Sequence, residues 1–312
     1  MFKRSLLCVV FAFVLVGVVG LGNVYAADYA ALSSVSGEVH VKKANTDEWK
    51  PVTTGMQLES GDSVQTIAGS AEVIYPDGSI LKIKDHSITT MEDVQGQGGT
   101  VIRKIKLFVG DMWAKITPGT STKTEFVTPS MVAAVKGTTV SLSVAPDGSV
   151  QILAEDGSLL ATLGSDIATI SFANGDAFEV SLGSDGSVTV KNLSGDNNIV
   201  VVSNNSNIAI NSTDKVTIKP DGSNVKVLEG DVDVTSPDGT TENVTSGNEA
   251  NIAGDGTMTT GTIPPTETPP TQQDVNEQTD KDNPTGKDVN PSKQGDPNVD
   301  PNKDSSVSPA NP

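Results

Sequence analysis

The chain has 312 residues, with 39 acidic against 21 basic side chains and a single cysteine. A net charge of −18 excludes a basic surface for nucleic acid or anionic lipid and makes calcium or a basic partner the expected company. One thiol excludes a disulfide framework and a thiolate metal site, so the core and the strand ladders must hold the fold.

In chain order, Lys3 and Arg4 precede an uncharged run from Ser5 to Gly22, and Val24-Tyr25-Ala26 supplies the small-x-small pattern that signal peptidase cuts. Residues 1–26 are therefore expected to be a signal peptide, with the mature protein starting at Ala27 and exported to the periplasm or cell surface. The alternative is an uncleaved anchor, because an apolar run of about 18 residues nearly spans a bilayer. Cys8 lies inside this segment and follows Leu7 rather than the small residue of a lipoprotein site. The mature chain then has no thiol and, without Lys3 and Arg4, a net charge of −20.

From Ala30 to Gly256 the pattern has period two. Val35, Gly37, Val39 and Val41 alternate with Ser36, Glu38, His40 and Lys42, and alternation returns at Val101 to Val109, Val140 to Val144, Ser187 to Val190, Val216 to Ile218 and Val225 to Val227. Such segments are strands with one wet face. Turns of the Asp-Gly kind separate them at Asp77, Asp147, Asp156, Asp185, Asp221 and Asp238. In each, aspartate caps the local backbone and glycine takes positive φ. Their spacing is irregular and identifies no fixed-length repeat. The best helical candidate, Ser130 to Val135, fits a strand equally well. From Thr257 to Pro312 prolines recur with few large apolar residues, so residues 257–312 are expected to form a disordered tail.

The order Val35-Ser36-Gly37-Glu38-Val39, Trp49-Lys50-Pro51-Val52, Leu58-Glu59-Ser60-Gly61-Asp62, Ala71-Glu72-Val73 and Asp77-Gly78-Ser79 resembles the FecR domain. The resemblance continues in Gly110-Asp111-Met112-Trp113, like that family's strand starting with glycine. It continues again in Phe126-Val127-Thr128-Pro129 with Val135-Lys136-Gly137-Thr138, where lysine replaces the usual arginine. A further segment, Val225 to Val234 with Ser246-Gly247-Asn248-Glu249, resembles the family's later part, which makes residues 149–223 read as an insertion. The resemblance implies an all-β fold, a short β-solenoid or sandwich-like stack over residues 30–256. The best known FecR proteins relay a signal from an outer-membrane receptor to a sigma factor through a cytoplasmic N-terminal segment. Four residues ahead of the apolar run leave no room for that segment, so the expected function is an exported binding or signal-sensing module. A structural or adhesive surface protein is the rival reading.

The signature residues read as scaffold, with Trp49 and Trp113 as large apolar anchors. A Ser-His-Asp arrangement needs a histidine held by an acid, and only His40 and His86 exist, the first facing outward from a strand and the second in a turn. Two histidines without cysteine fall short of a zinc site. The turn aspartates could meet calcium, yet neither Gly-Gly-x-Gly-x-Asp nor Asp-x-Asp-x-Asp-Gly occurs. The sequence thus nominates no catalytic, cofactor-binding or metal residue and no cofactor. Its expected partner is an envelope protein or polysaccharide, with no nucleic acid and no membrane insertion after cleavage.

Overall fold

In the computed structural model, the structure describes residues 30–264 apart from 120 and 196. The expected signal segment and residues 265–312 of the expected tail lie outside the described residues.

The first part is built on three long strands. They are β1 (Ala30–Lys42), β4 (Ser63–Ile74) and β7 (Val101–Lys115), interleaved with β2 (Trp49–Pro51), β3 (Gln57–Leu58), β5 (Ile80–Ile83) and β6 (Ser87–Gln95). Each long strand passes through two facing layers, and each changes its buried parity where it crosses. In β1 the buried residues are Ala30 and Leu32, then Val39 and Val41; in β4, Val64 and Thr66, then Ala71 and Val73; in β7, Ile105 and Leu107, then Met112 and Ala114. The inner face of one layer is the opposite face of the other, so a strand that enters the second layer must turn over. Glycine permits the turn. Gly37 opposes Gly69 in register, and a Cβ on either would lie 2.1 or 2.0 Å from a backbone oxygen of the other strand. Gly110, at φ +97°, presses in the same way on Ser87. Gly110 therefore sits inside a strand, not at the strand start that the resemblance implied.

Two further strands, β8 (Thr122–Val127) and β9 (Met131–Val135), complete this part. The segment from Ser130 to Val135 is thus strand, with Met131, Ala133 and Val135 buried at period two. β8 runs parallel to the first half of β7; the bend in β7 carries its second half into the other layer, and the chain returns beside its start.

From Thr139 onward the chain makes hairpins that alternate between the layers. Layer A receives β10 (Thr139–Val144) with β11 (Val150–Asp156), β14 (Ala177–Leu182) with β15 (Val188–Asn192), β18 (Lys215–Ile218) with β19 (Asn224–Glu229), and β22 (Asn248–Ile252) with β23 (Met258–Thr262). Layer B receives β12 (Ser158–Leu163) with β13 (Ala168–Ala173), β16 (Ile199–Ser203) with β17 (Ser206–Ile210), and β20 (Asp231–Thr235) with β21 (Thr241–Thr245). Successive hairpins pair within each layer, as β11 with β14 and β13 with β16, and both layers share one core. The result is an all-β, two-layer stack.

The stack reveals the repeat that irregular turn spacing hid. Tips of layer A hairpins fall at Asp147, Asp185, Asp221 and Asp255, which are 38, 36 and 34 residues apart. In each, Oδ1 accepts the backbone N–H and the hydroxyl of the residue two positions on, at 2.6–3.0 Å. Asp156-Gly157 belongs to another class, the one-residue crossing from β11 in layer A to β12 in layer B. Mixing tips with crossings destroyed the period.

Residues 149–223, read as an insertion that extends the stack, supply rungs continuous with those before and after. One expectation changes. The expected tail begins too early at 257, because Met258–Thr262 pairs with β22 and the unit ends at Ile263. Met258, packed against the core, gives that last strand the apolar contact that Thr-rich composition concealed.

Candidate binding surface

Period two sends every second side chain outward, and in layer B the outward rows are unusually apolar near the middle of the stack. Register places Glu125, Ala134, Leu160, Ser171 and Val200 side by side across five strands. Val132, Thr162, Thr169 and Val202 form the adjoining row. Leu160 is 47% exposed, and Val200 and Val202 stand out beside it at 43% and 40%. An open groove of about 780 Å³ runs here, with Ala134, Leu160 and Ser171 among its lining and Lys123, Lys136 and Asp176 bringing charge to it. Apolar side chains on the wet face of a strand do not help close the core.

Layer A carries a polar counterpart. Trp113 lies between buried Met112 and Ala114 and so points outward; its Nε1–H donates to Glu155 Oε2 at 2.9 Å. Lys82, its cross-strand neighbour, holds Nζ 4.9 Å from the ring centroid. Hydrogen bonds from the Ser141 hydroxyl and then Trp113 hold the Glu155 carboxyl below the usual carboxylate range. Lys42 and Trp49 repeat the cross-strand arrangement at 5.4 Å. Both tryptophans are therefore surface residues and not the core anchors their size suggested. Phe126 and Phe178 fill the core instead. Alternation, not side-chain size, decided the side.

The structure also assembles a cluster that sequence reading missed. Arg103, 3% exposed, donates from Nη1 to Asp77 Oδ2 at 2.7 Å, places Nε 3.6 Å from Asp93 Oδ1, and stacks its guanidinium 3.7 Å from the Tyr75 ring centroid. Burial alone would raise the Asp77 carboxyl, but the Ser79 N–H and the Arg103 guanidinium outweigh it and hold the group below its ordinary range. Burial pushes the Tyr75 phenol well above its usual value, against the pull of Arg103. The signal was present in the sequence: Arg103 occupies the same parity as Ile105 and Leu107, a charge at a core position. A second anchor is Asp62, buried, whose carboxylate accepts the Ala44 and Glu59 N–H groups at 2.9 Å and Lys43 Nζ at 2.6 Å. Both clusters pin loops; neither opens on a reacting centre.

His40 lies in β1 between buried Val39 and Val41 and faces outward as expected. His86 is exposed at φ +55° with Nδ1 3.1 Å from Asp85 Oδ2. The two are not brought together with a nucleophile. Among the described residues no three His, Cys, Asp or Glu side chains converge as a metal site, and each tip aspartate is engaged by its own turn.

Residues 62–160 match the FecR protein family model. That segment is the FecR-like part of the chain. It runs from the start of β4 into β12 and contains Arg103, Trp113 and part of the Leu160 groove. The segments 32–61 and 224–252, which also resembled FecR, lie outside the matched residues. Two crystal structures of a protein assigned as an anti-sigma factor from Parabacteroides distasonis are similar to this chain at 13% identity and a TM-score of 0.35, covering 42% of it. The similarity spans 59% of those chains. The TCP10 domain of Danio rerio CPAP, in complex with a STIL peptide, aligns at 15% identity over 64% of this chain and 99% of its own, with a TM-score of 0.12. No curated protein matches the chain. Among the described residues no helix is long and apolar enough to cross a membrane.

Proposed function

We propose that this chain is an exported, non-catalytic binding or signal-sensing module of the bacterial cell envelope, which meets an envelope protein or polysaccharide through the outer faces of its strands. The observation that carries the reading is the groove at Leu160. It begins within the FecR-like part, its floor is apolar where a solvated strand face should be polar, and charged side chains flank it, as in a surface built for recognition. The leader-like residues 1–26 support export.

Two measurements test it. Fractionation of expressing cells with mass determination of the mature chain is expected to give a product starting at Ala27; a full-length, membrane-embedded product would return the anchor and a transmembrane role. A photo-crosslinking residue at Ser171 is expected to capture one envelope component in cells, and Leu160→Lys in the same chain should remove that adduct. An adduct indifferent to Leu160→Lys, or none, overturns the groove. The stacked hairpins favour a structural or adhesive surface role as the second reading, since a repeat stack makes a long spacer.

A further inference from the structure

A strand at the end of a layer directs alternate N–H and C=O groups into solvent, and proteins guard such edges with short strands, proline or inward-pointing charge. Among the described residues the stack has four end strands, and three are guarded. β3 is two residues long. β2 is three residues long; Val52 N donates to Val39 O, so by alternation the position of Pro51 faces the open side, where proline has no N–H to offer. Lys50 opposes buried Val41 and so puts its charge on the inner face at the open edge, where it stays solvated. In β21, Glu242 opposes buried Val234 and likewise puts a solvated charge on the inner face.

The fourth, β23, has none of these devices. Met258–Thr262 is five residues long with no proline and no charge, and among the described residues it pairs with β22 alone. Ile263 N donates to Gly247 O, so Thr259 and Gly261 face β22 while the backbone groups of Met258, Thr260 and Thr262 face outward. Gly261 lies opposite Glu249, and a side chain at Gly261 would meet nothing within 4 Å. Gly261 therefore leaves a notch in the edge strand beside Glu249, whose Oε1 accepts from Asn251 Nδ2 at 3.3 Å and whose neighbour on the inner strand is Lys226. The surrounding rungs are acidic: residues 224–264 carry seven acidic side chains and one basic one, Lys226.

We propose that β23 is a docking edge that takes an extended segment of a partner protein as an added strand, and that the segment carries an arginine or lysine facing the Gly261 notch, within reach of Glu249. Main-chain bonds to Met258, Thr260 and Thr262 supply the register, and the basic side chain supplies selectivity. Like charge disfavours a second copy of this end. The proposal rests on the reading of the chain as a binding module, but it uses residues distant in sequence from the Leu160 groove.

The test uses the full mature chain and two synthetic peptides of alternating threonine and valine, one with a central arginine and one with glutamate in its place. The arginine peptide is expected to bind and to slow amide exchange at residues 258, 260 and 262. Thr260→Pro removes one outward N–H without touching the β22 ladder, and Thr260→Lys copies the inward charge of β2; each should weaken binding at least about 10-fold, a difference of about 1.4 kcal/mol. Glu249→Gln should weaken the arginine peptide about 2- to 5-fold, as for an exposed ion pair. The proposal is overturned by absence of binding, by equal binding of the glutamate peptide, by indifference to both Thr260 variants, or by amides of residues 258, 260 and 262 already protected without peptide. Leu160→Lys should leave peptide binding unchanged, so failure at this edge and failure at the groove are told apart.

Discussion

The long-strand part before Thr139 and the hairpin part after it share one core but close it in different ways. Before Thr139, three strands of 12 to 15 residues cross both layers, and closure depends on pairings such as Val41 with Val64 and Leu81 with Ala114, together with the Asp77–Arg103–Asp93 group, whose arginine is buried. After Thr139, each hairpin forms from neighbours in sequence and only then docks on the last. The first half is held by a few positions that nothing can replace; the second spreads its stability over similar rungs, as repeat stacks do. A substitution should therefore cost more in the first half than a comparable one in the second.

The largest expected effect is at Arg103. Arg103→Met removes a buried cation together with its charge-assisted bond to Asp77, its ion pair with Asp93 and its stacking on Tyr75, and should lose about 2–3 kcal/mol in denaturant unfolding. Adding Asp77→Asn and Asp93→Asn to it should recover part of that loss. A loss under about 1 kcal/mol would show that the cluster is solvated and that the halves do not differ in this respect.

Glycines sharpen the comparison at the next level. Gly37→Ala forces a Cβ into the Ala68 carbonyl at positive φ and should lose at least the 1–3 kcal/mol that backbone strain of this kind costs, roughly estimated. Gly239→Ala, at a hairpin tip with φ +89° and open space around it, bears the strain without the collision and should lose less. Equal losses would mean that the bends in the long strands can relax.

The smallest effect is on acid stability. Asp77 has a folded pKa below its ordinary value, so its contribution is fully present above the unfolded carboxylate range near pH 4 and disappears as pH falls through the lower folded value. Asp77→Asn should flatten the stability curve below about pH 4. Asp147→Asn, at an exposed tip whose carboxyl is held low by the Ser149 N–H and hydroxyl, should change that curve less, because solvent screens it.

Much of the architecture was legible from residue order. Alternation at Val140 to Val144 or Val225 to Val227 follows from the two-sided geometry of a strand, and Asp-Gly followed by serine or threonine makes a turn whatever surrounds it, because the carboxylate needs only its own N–H neighbours. The candidate surface was less legible. Trp49 and Trp113 looked like core by size, and nothing local revealed that Met112 and Ala114 own the inner face. Leu160 and Val200 are apolar, yet each lies beside a buried residue and so faces outward.

The sequence by itself determined the all-β class, the turn chemistry and the alternation of each strand, because these depend on contacts a few residues long. Only the tertiary structure decided which face of each strand is inner, since the long strands reverse their buried parity at Gly37, Gly69 and Gly110 as they pass between layers. It alone placed Arg103 among Tyr75, Asp77 and Asp93, sorted hairpin tips from crossings to expose the repeat, and left β23 as the unguarded edge among the described residues. Each of these rests on pairings between residues far apart in the chain, and no short stretch of sequence contains both partners.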